Sequence, residues 1–393
     1  MEARNFRTGW IIPLTLLIFA GCGEVGADQE EVPPLELHPG QLTSSQKCGS
    51  CHKDIYSVWR SSIHARAAST PVFLEAYDEA VQETGDTARK MCLRCHAPSS
   101  IVTGNLVLSD SLNQEGVNCD FCHSLVGVDP NNPVEPFKLE VGTTKYGPVQ
   151  DAEPRGHPVA FSKFHTTSEH CEGCHEYRNP AGVPLLSTYS EWTDYQQKGG
   201  DRTCQECHMP LVVASVVDPK VLRVRSSFIN LHSMPGGHSL AQLVKALRLR
   251  IEEVKRDGRK VYVKLSLKNA GAGHAVPTGS PTRKILLDIT ATAESGEVAQ
   301  QQYTFQKVAL DAQSKPIMDD ARMFLDTARI GDDTRIAPGE ERIIETSFTL
   351  PRDENIEVRA SLTYLYSPHN RPETETRLEF VSERKQLVAA FAR

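Results

Sequence analysis

The 393-residue sequence lacks the features of two large protein classes. It has no run of about 20 apolar residues, so it does not encode a multi-span membrane protein. It also lacks a basic excess, since 43 Lys and Arg residues stand against 50 Asp and Glu residues and the formal net charge is −7. This balance argues against nucleic acid as a partner. The chain is instead rich in two residue types, with 11 Cys and 14 His.

Residues 1–21 have the layout of a secretory signal peptide. Basic residues precede an apolar stretch from Trp10 to Ala20, whose helical length of about 16 Å is too short to cross hydrocarbon of about 30 Å. The small residues before Cys22 resemble the lipobox of bacterial lipoproteins, which implies a lipid-modified Cys22 as the mature N-terminus. An ordinary signal peptide with an incidental Cys is the alternative. Gly23 after the Cys implies a location at the outer membrane, facing the periplasm or the cell surface.

Residues 22–47 are predicted to form a tether between this anchor and a folded body. The segment carries five acidic residues and three prolines: Glu24, Asp28, Glu30, Glu31, Glu36, Pro33, Pro34 and Pro39. Such a composition favours a solvated, semi-stiff chain. We therefore expect the membrane to be contacted only through the lipid.

The other ten cysteines all lie in one repeated motif. They form five Cys-x-x-Cys pairs, and each second Cys is followed directly by His. The motif residues are Cys48, Cys51 and His52; Cys92, Cys95 and His96; Cys119, Cys122 and His123; Cys171, Cys174 and His175; and Cys204, Cys207 and His208. This spacing is the attachment signature of c-type haem, in which both thiols bond the porphyrin and the His ligates the iron. The sequence therefore predicts five covalently bound haems c.

Three alternatives exist for the paired cysteines. An exported protein can form disulfides, and Cys-x-x-Cys pairs also occur in zinc sites and in dithiol redox motifs. None of these alternatives explains why a His follows every pair. Five haems within about 160 residues would supply much of the hydrophobic core themselves and would lie close together.

Nine further histidines are available as distal iron ligands. They are His38, His64, His157, His165, His170, His232, His238, His274 and His369. His64 lies near the end of a predicted amphipathic helix over 53–68. On a straight helix it lies too far from His52 to serve the same haem, so it is expected to serve a neighbouring one. His170 directly precedes Cys171 and is likewise barred from its own haem. For each candidate a surface position is the alternative, and His38 is assigned to the tether.

The motifs and their surroundings resemble the multihaem cytochrome c superfamily, which includes the tetrahaem cytochrome c of ammonia oxidisers, hydroxylamine oxidoreductase and pentahaem nitrite reductase. The resemblance spans roughly residues 46–280. It is carried by Trp59-x-x-Ser-x-His-Ala65, Gly116 to His123, Cys204 to Pro210 and the Gly-His-x-x-Pro-Thr-Gly segment that contains His274. It implies ligation by two histidines at each iron.

The distal residues that the resemblance implies are His64, His157, His232 and His274. The fifth is expected to be His165 or His170, with His238 as a further candidate. The sequence departs from the superfamily's enzymes at two points. No Cys-x-x-Cys-Lys motif is present, and nothing marks a Tyr that would crosslink to a porphyrin.

The last third of the chain has no Cys and alternates apolar with polar residues. The alternating stretches include 261–267, 285–289, 344–350 and 356–366, and Asp257-Gly258 reads as a hairpin turn. We predict a β-sandwich of about seven strands. The fold class is therefore α+β multidomain, with a mainly α, loop-rich haem domain at 48–245 and a sandwich-like domain at 246–393. Because no catalytic arrangement stands out in the sandwich, we expect a docking or spacer role for it.

Two functions of different class follow. The first is electron transfer along closely packed haems, each with two His ligands, with other redox proteins as partners. The second is an oxidoreductase in which one haem is open and acts on a small nitrogen or sulfur compound. The supply of histidines and the missing Lys-ligated motif favour the first.

Overall fold

The computed structural model describes residues 36–132, 135–153, 155–222 and 227–389. The predicted signal peptide, Cys22 and most of the tether therefore lie outside the described residues. The helices are α1 (Ser45–Gly49), α2 (Lys53–Arg60), α3 (Pro71–Thr84), α4 (Asp86–His96), α5 (Ser99–Thr103), α6 (Cys119–Ser124), α7 (Glu169–His175), α8 (Thr188–Gln197), α9 (Cys204–His208), α10 (Leu240–Ala246) and α11 (Asp320–Asp326). Short 3₁₀ turns occur at His64–Arg66, Asn113–Glu115, Lys163–Thr166 and Pro372–Thr374.

The haem-motif half of the chain contains helices α1 to α10 and four small two-stranded sheets. The strands are β1 (Leu125–Val128), β2 (Phe137–Leu139), β3 (Lys145–Gly147), β4 (Val159–Phe161), β5 (Glu176–Arg178), β6 (Pro184–Ser187), β7 (Leu211–Ala214) and β8 (Ser227–Asn230). They pair in chain order, and only β3 with β4 is parallel among these pairs.

The predicted helix over 53–68 is wrong beyond Arg60. The chain leaves the α-helix with two i→i+3 bonds, from Ser61 N–H to Val58 O and from Ser62 N–H to Trp59 O. The Ser62 hydroxyl then accepts the backbone N–H of Ala65 at 3.2 Å. Serine side chains compete in this way with helical hydrogen bonds, so His64 lies on a separate 3₁₀ turn. The following helix, α3, has Pro71 in its first turn and Thr70 as its N-cap.

The second half forms two packed antiparallel sheets. Its strands are β9 (Leu247–Asp257), β10 (Lys260–Asn269), β11 (Arg283–Ala293), β12 (Val298–Phe305), β13 (Lys307–Leu310), β14 (Arg329–Asp333), β15 (Glu341–Thr349), β16 (Ile356–Tyr366) and β17 (Thr376–Leu387). One sheet has the order β15-β10-β9 and the other β12-β11-β16-β17, while β13 pairs with β14. Inward residues such as Leu265 and Leu287 are fully buried between the sheets. The alternating stretches predicted as strands are strands, and Gly258 takes the predicted hairpin turn with φ 56°.

The two halves pack directly against each other. α11, which lies within the sandwich half, contacts α3 of the haem-motif half, and an ion pair joins Arg322 to Glu83 there. The Asn179 amide donates to the buried Thr327 carbonyl at 2.7 Å. At the predicted boundary, α10 ends at Ala246 and its Leu243 packs into the sandwich core. Within the described chain, no helix is both long and apolar enough to cross a membrane.

Candidate haem sites

The five Cys-x-x-Cys-His motifs lie on short helical segments. The second to fifth motifs occupy α4, α6, α7 and α9, while the first begins in α1 and its His52 directly precedes α2. Side chains three residues apart share one face of a helix, so each segment presents its two thiols together. Two of these segments, α6 and α9, are fixed by N-terminal caps: Asn118 accepts from Phe121 N–H at 2.8 Å, and Thr203 with Glu206 forms a capping box.

The motif cysteines are all free thiols, and sulfurs of different motifs lie side by side. Hydrogen-bonding contacts join Cys48 to Cys119, Cys95 to Cys174 and Cys171 to Cys204. In the part of the chain that the structure describes, no three His, Cys, Asp or Glu side chains are grouped as a direct metal site. The contacts between thiols of different motifs mean that the motifs are packed together, although they are far apart in sequence.

Four of the five motif histidines are oriented by a backbone carbonyl. In each case the Nδ1–H group donates a hydrogen bond to a backbone carbonyl oxygen. The bonds are His52 to Val216 at 2.7 Å, His96 to Ala67 at 2.9 Å, His123 to Tyr146 at 2.6 Å and His208 to Pro235 at 2.6 Å. A hydrogen bond at Nδ1 fixes the tautomer and leaves Nε2 free as a metal ligand. Nothing in the sequence marks these carbonyl acceptors, because every residue carries one.

Four pairs of imidazole rings face each other at nearly the same separation. The ring centroids are 6.2 Å apart for His52 and His157, 6.2 Å for His64 and His175, 6.4 Å for His123 and His232, and 6.2 Å for His208 and His274. The rings of His165 and His170 lie closer to each other, at 4.5 Å, and are tilted by 42°. Metal–imidazole bonds are about 2 Å long. Two such bonds plus the distance from each nitrogen to its ring centre account for the observed separation.

The four distal histidines implied by the resemblance are therefore each brought opposite a motif histidine. As expected, His64 does not face His52 but the His of another motif. His157, His232 and His274 also have Nδ1 bonded to a nearby carbonyl, of Pro158, Asn230 and Ala275 respectively. Each of these three rings thus presents Nε2 in the same way as the motif histidines.

His96 differs from the other motif histidines. Its ring stacks on Phe73 at 4.1 Å and 11°, and no imidazole lies opposite it among the described residues. His165 bonds through Nε2 to the Cys122 carbonyl at 3.0 Å and touches His170. Among the described residues, none of the three candidates for the fifth distal ligand, His165, His170 and His238, forms a ring pair with His96. The expected fifth distal His is therefore not found opposite His96.

The remaining two histidines lie outside this arrangement. His369 is buried between Glu75 and Asp319, at 3.3 and 3.4 Å from their carboxylates. His38 is exposed, as expected for the tether. Neither residue forms a ring pair with a motif histidine among the described residues.

Burial keeps these imidazoles neutral. Desolvation lowers the pKa of His64 and His232 to about 4 and that of His175 to about 3. It also lowers the pKa values of His52, His96, His123 and His274. A neutral imidazole is the form that binds a metal.

The facing rings line one cavity of about 2830 Å³. This is roughly three times the upper end of the 300–1,000 Å³ common for ligand pockets. All ten motif cysteines except Cys92 line it, together with residues of both halves such as Tyr364. The cavity, the paired thiols and the facing rings fit several covalently bound haems.

The glycines around His274 are required by protein neighbours. A Cβ at Gly271 would lie 2.2 Å from the Lys245 carbonyl oxygen, and one at Gly273 would lie 3.1 Å from the ring of Tyr195. A glycine-rich loop beside a candidate ligand suggests close approach of a flat porphyrin. The observed contacts are instead between the loop and α8 or α10, which hold the loop that carries His274.

Comparison with known proteins agrees with the motif analysis. The family model described as cytochrome c554 and c-prime matches residues 47–124. The crystal structure of a penta-heme cytochrome c552 from Thermochromatium tepidum is similar over 89% of this chain and 100% of that chain, with 27% identity and a TM-score of 0.71. The ApaA protein structure from Bordetella pertussis covers 37% of this chain and 92% of its own, at 10% identity and a TM-score of 0.20, too low to support a shared fold. No curated protein matches.

The family match and the penta-heme neighbour support a multihaem c-type cytochrome with covalently bound haem and a role in electron transfer.

Proposed function

We propose that the chain carries five covalent haems c and transfers electrons through four haems with two His ligands each and a fifth with one. The observation that carries this proposal is the set of four imidazole pairs at 6.2 to 6.4 Å. The similar penta-heme structure supports the number of haems. Haem iron supplies one-electron chemistry when bound, and the protein sets its potential through axial ligands, hydrogen bonds and burial.

Each haem is assigned to one motif and, for four of them, one distal His. The assignments are Cys48, Cys51, His52 and His157; Cys119, Cys122, His123 and His232; Cys171, Cys174, His175 and His64; Cys204, Cys207, His208 and His274; and Cys92, Cys95 and His96. All four distal ligands come from segments remote in sequence from the motif that they complete. The haems would thereby crosslink the chain.

The sulfur contacts support an order for the haems. The first motif touches the third through Cys48 and Cys119, and the fourth touches the fifth through Cys171 and Cys204. Cys122 of the third motif lies close enough to raise the pKa of Cys171 in the fourth. Because each sulfur bonds a porphyrin edge, we propose the path 1–3–4–5. The haem of the second motif branches from the fourth through Cys95 and Cys174.

A second candidate function is redox catalysis at the haem of His96. The observation that favours it is the lack of a facing imidazole in the described chain, in contrast to the other four motif histidines. An iron with one protein ligand can bind a small molecule, as haem enzymes require. Electron transfer remains the main proposal because at four of the five proposed haem sites a second His occupies the position where a small molecule would bind.

We further propose that the protein is exported and held at the outer membrane by a lipid on Cys22. The supporting features are the apolar segment from Trp10 to Ala20, the small residues before Cys22 and the acidic tether over 22–47. The partners would be other redox proteins, because the negative charge and the cofactor type suit electron exchange rather than nucleic-acid binding.

Intact mass spectrometry of the protein purified from its membrane fraction tests this proposal. We expect a chain beginning at Cys22 with acyl groups and five haem additions. A Cys22→Ser variant should lose the acyl mass and keep all haems, which separates the anchor from the cofactors. Four or fewer haems in the mature protein would contradict the haem assignment, and an unmodified Cys22 would contradict the anchor.

A further inference from the structure

Glu191 of α8 contacts the loop that carries His274 on the C-terminal side of the histidine. Its Oε2 accepts the backbone N–H of Ala275 at 3.1 Å and the hydroxyl of Thr278 at 2.9 Å. Glu191 belongs to the haem-motif half of the chain, while the loop joins β10 to β11 of the sandwich half. One carboxylate therefore holds the residue directly after His274 and a second residue three positions further on.

Arg335 completes this arrangement from the sandwich half. Its Nη1 donates to Glu191 Oε1 at 2.6 Å, and its Nε and Nη2 donate to the Asp333 carboxylate at 2.8 and 2.7 Å. The Arg335 and Glu191 side chains are only 8% and 12% exposed. The next residue, Ile336, exchanges two backbone hydrogen bonds of 3.0 Å with Val276 of the loop.

A buried ion pair is costly to desolvate and often adds little stability over apolar packing. A role in holding neighbouring groups in a fixed position explains such a pair better than a contribution to stability. The side chains that orient a metal ligand commonly change metal affinity about 10- to 100-fold when they are removed. Here the pair fixes the backbone next to His274, whose ring lies 6.2 Å from that of His208.

We infer that Glu191, held by Arg335, is a positioning residue that keeps His274 on the iron of the His208 haem. This inference rests on the proposed function, in which His274 is the distal ligand of that haem. Part of the ligand affinity of one half of the molecule would then be set by a charge in the other half.

Carbon monoxide binding to the fully haem-loaded, reduced protein tests the inference, because carbon monoxide competes with His274 for the iron. The test variant is Glu191→Gln, which keeps the side-chain shape and removes the charge. His274→Ala is the reference for a lost ligand. Glu83→Gln is the matched control, since Glu83 also pairs with an arginine of the other half, Arg322, and its described contacts include no histidine loop.

We expect His274→Ala to create one new carbon monoxide site. Glu191→Gln should raise the carbon monoxide affinity of that same haem about 10- to 100-fold over wild type, and Glu83→Gln should leave it unchanged. A high-spin ferric signal should rise in parallel in Glu191→Gln at unchanged haem content.

Two results would overturn the inference. If His274→Ala opens a haem but Glu191→Gln behaves as wild type, Glu191 does not position the ligand, although the ligand assignment stands. If His274→Ala opens no haem, the assignment of His274 fails and the inference fails with it.

Discussion

Lys307 is a buried cation at the contact between the two halves. Its ammonium group donates to the Ser187 hydroxyl at 2.8 Å and the Leu185 carbonyl at 3.4 Å, and the residue is 5% exposed. Burial, followed by the charge of Arg335, lowers the pKa of Lys307 to about 8 from an ordinary 10.5. The folded state therefore disfavours the protonated form.

The sign of this shift predicts how stability depends on pH. Between pH 8 and 10.5 the unfolded chain binds the proton that the folded chain has released, so stability rises with pH in this window. The change from 10.5 to about 8 corresponds to about 3 kcal/mol. Relative to Lys307→Met, the wild type should gain about this much unfolding free energy as pH rises through the window. Denaturant unfolding of both proteins at pH 7 and 10.5 measures it, and an unchanged difference would contradict the burial effect.

The individual candidate ligands were predictable to different degrees. The motif histidines have a local signature, and the four distal residues carried over by resemblance all lie opposite one of them. The distinct state of His96 was not predictable, because it depends on which remote segments approach it. The buried Phe73 that stacks on it carries no signature that separates it from an ordinary core residue.

Among the elements, the 3₁₀ turn at His64–Arg66 shows how backbone geometry places a proposed ligand. Gly116 has φ 64° and ψ −129°, and a Cβ there would lie 2.4 Å from the His64 carbonyl oxygen. The next residue, Val117, donates its N–H to that same oxygen at 2.9 Å. Gly116 thus permits the contact that holds the turn.

We predict that Gly116→Ala destabilises the protein more than Gly85→Ala. Gly85 has nearly the same backbone angles, φ 59° and ψ −128°, but no atom lies within 4 Å of the point that its Cβ would occupy. Both variants incur strain of about 1–3 kcal/mol, and only Gly116→Ala adds a backbone clash. Its melting temperature should fall further, and its haem spectrum should show weakened ligation by His64. Equal losses in the two variants would contradict this role.

The boundaries of helices and strands were predictable where a local sequence pattern sets them, and not where remote contacts do. The strands of the sandwich were predictable because one face is buried and the apolar residues repeat every second position, as in Val261 to Leu267. The end of α2 at Arg60 was not predictable. It depends on hydrogen bonds of Ser61 and Ser62, and a serine in the sequence is only a weak signal that such bonds replace the helical ones. The placement of α11 against α3 also had no local signal.

At the scale of the whole molecule, the haem-motif half and the sandwich half pack against each other. The sandwich half supplies His274, and its Arg335 and Lys307 bond to residues of the haem-motif half. The sandwich half, for which the sequence predicted a docking or spacer role, also takes part in the candidate haem sites. It contributes a proposed iron ligand and part of the cavity wall.

In the proposed ligation scheme, four haems have two His ligands and the haem of His96 has one. Electron paramagnetic resonance of the oxidised protein, with spin quantitation against total haem, tests it most directly. We expect one high-spin haem in five. The four low-spin haems should divide into two types, because the facing rings are steeply inclined in two pairs, at 63° and 58°, and closer to parallel in two, at 27° and 19°. Five low-spin haems, or two or more high-spin haems, would contradict the scheme.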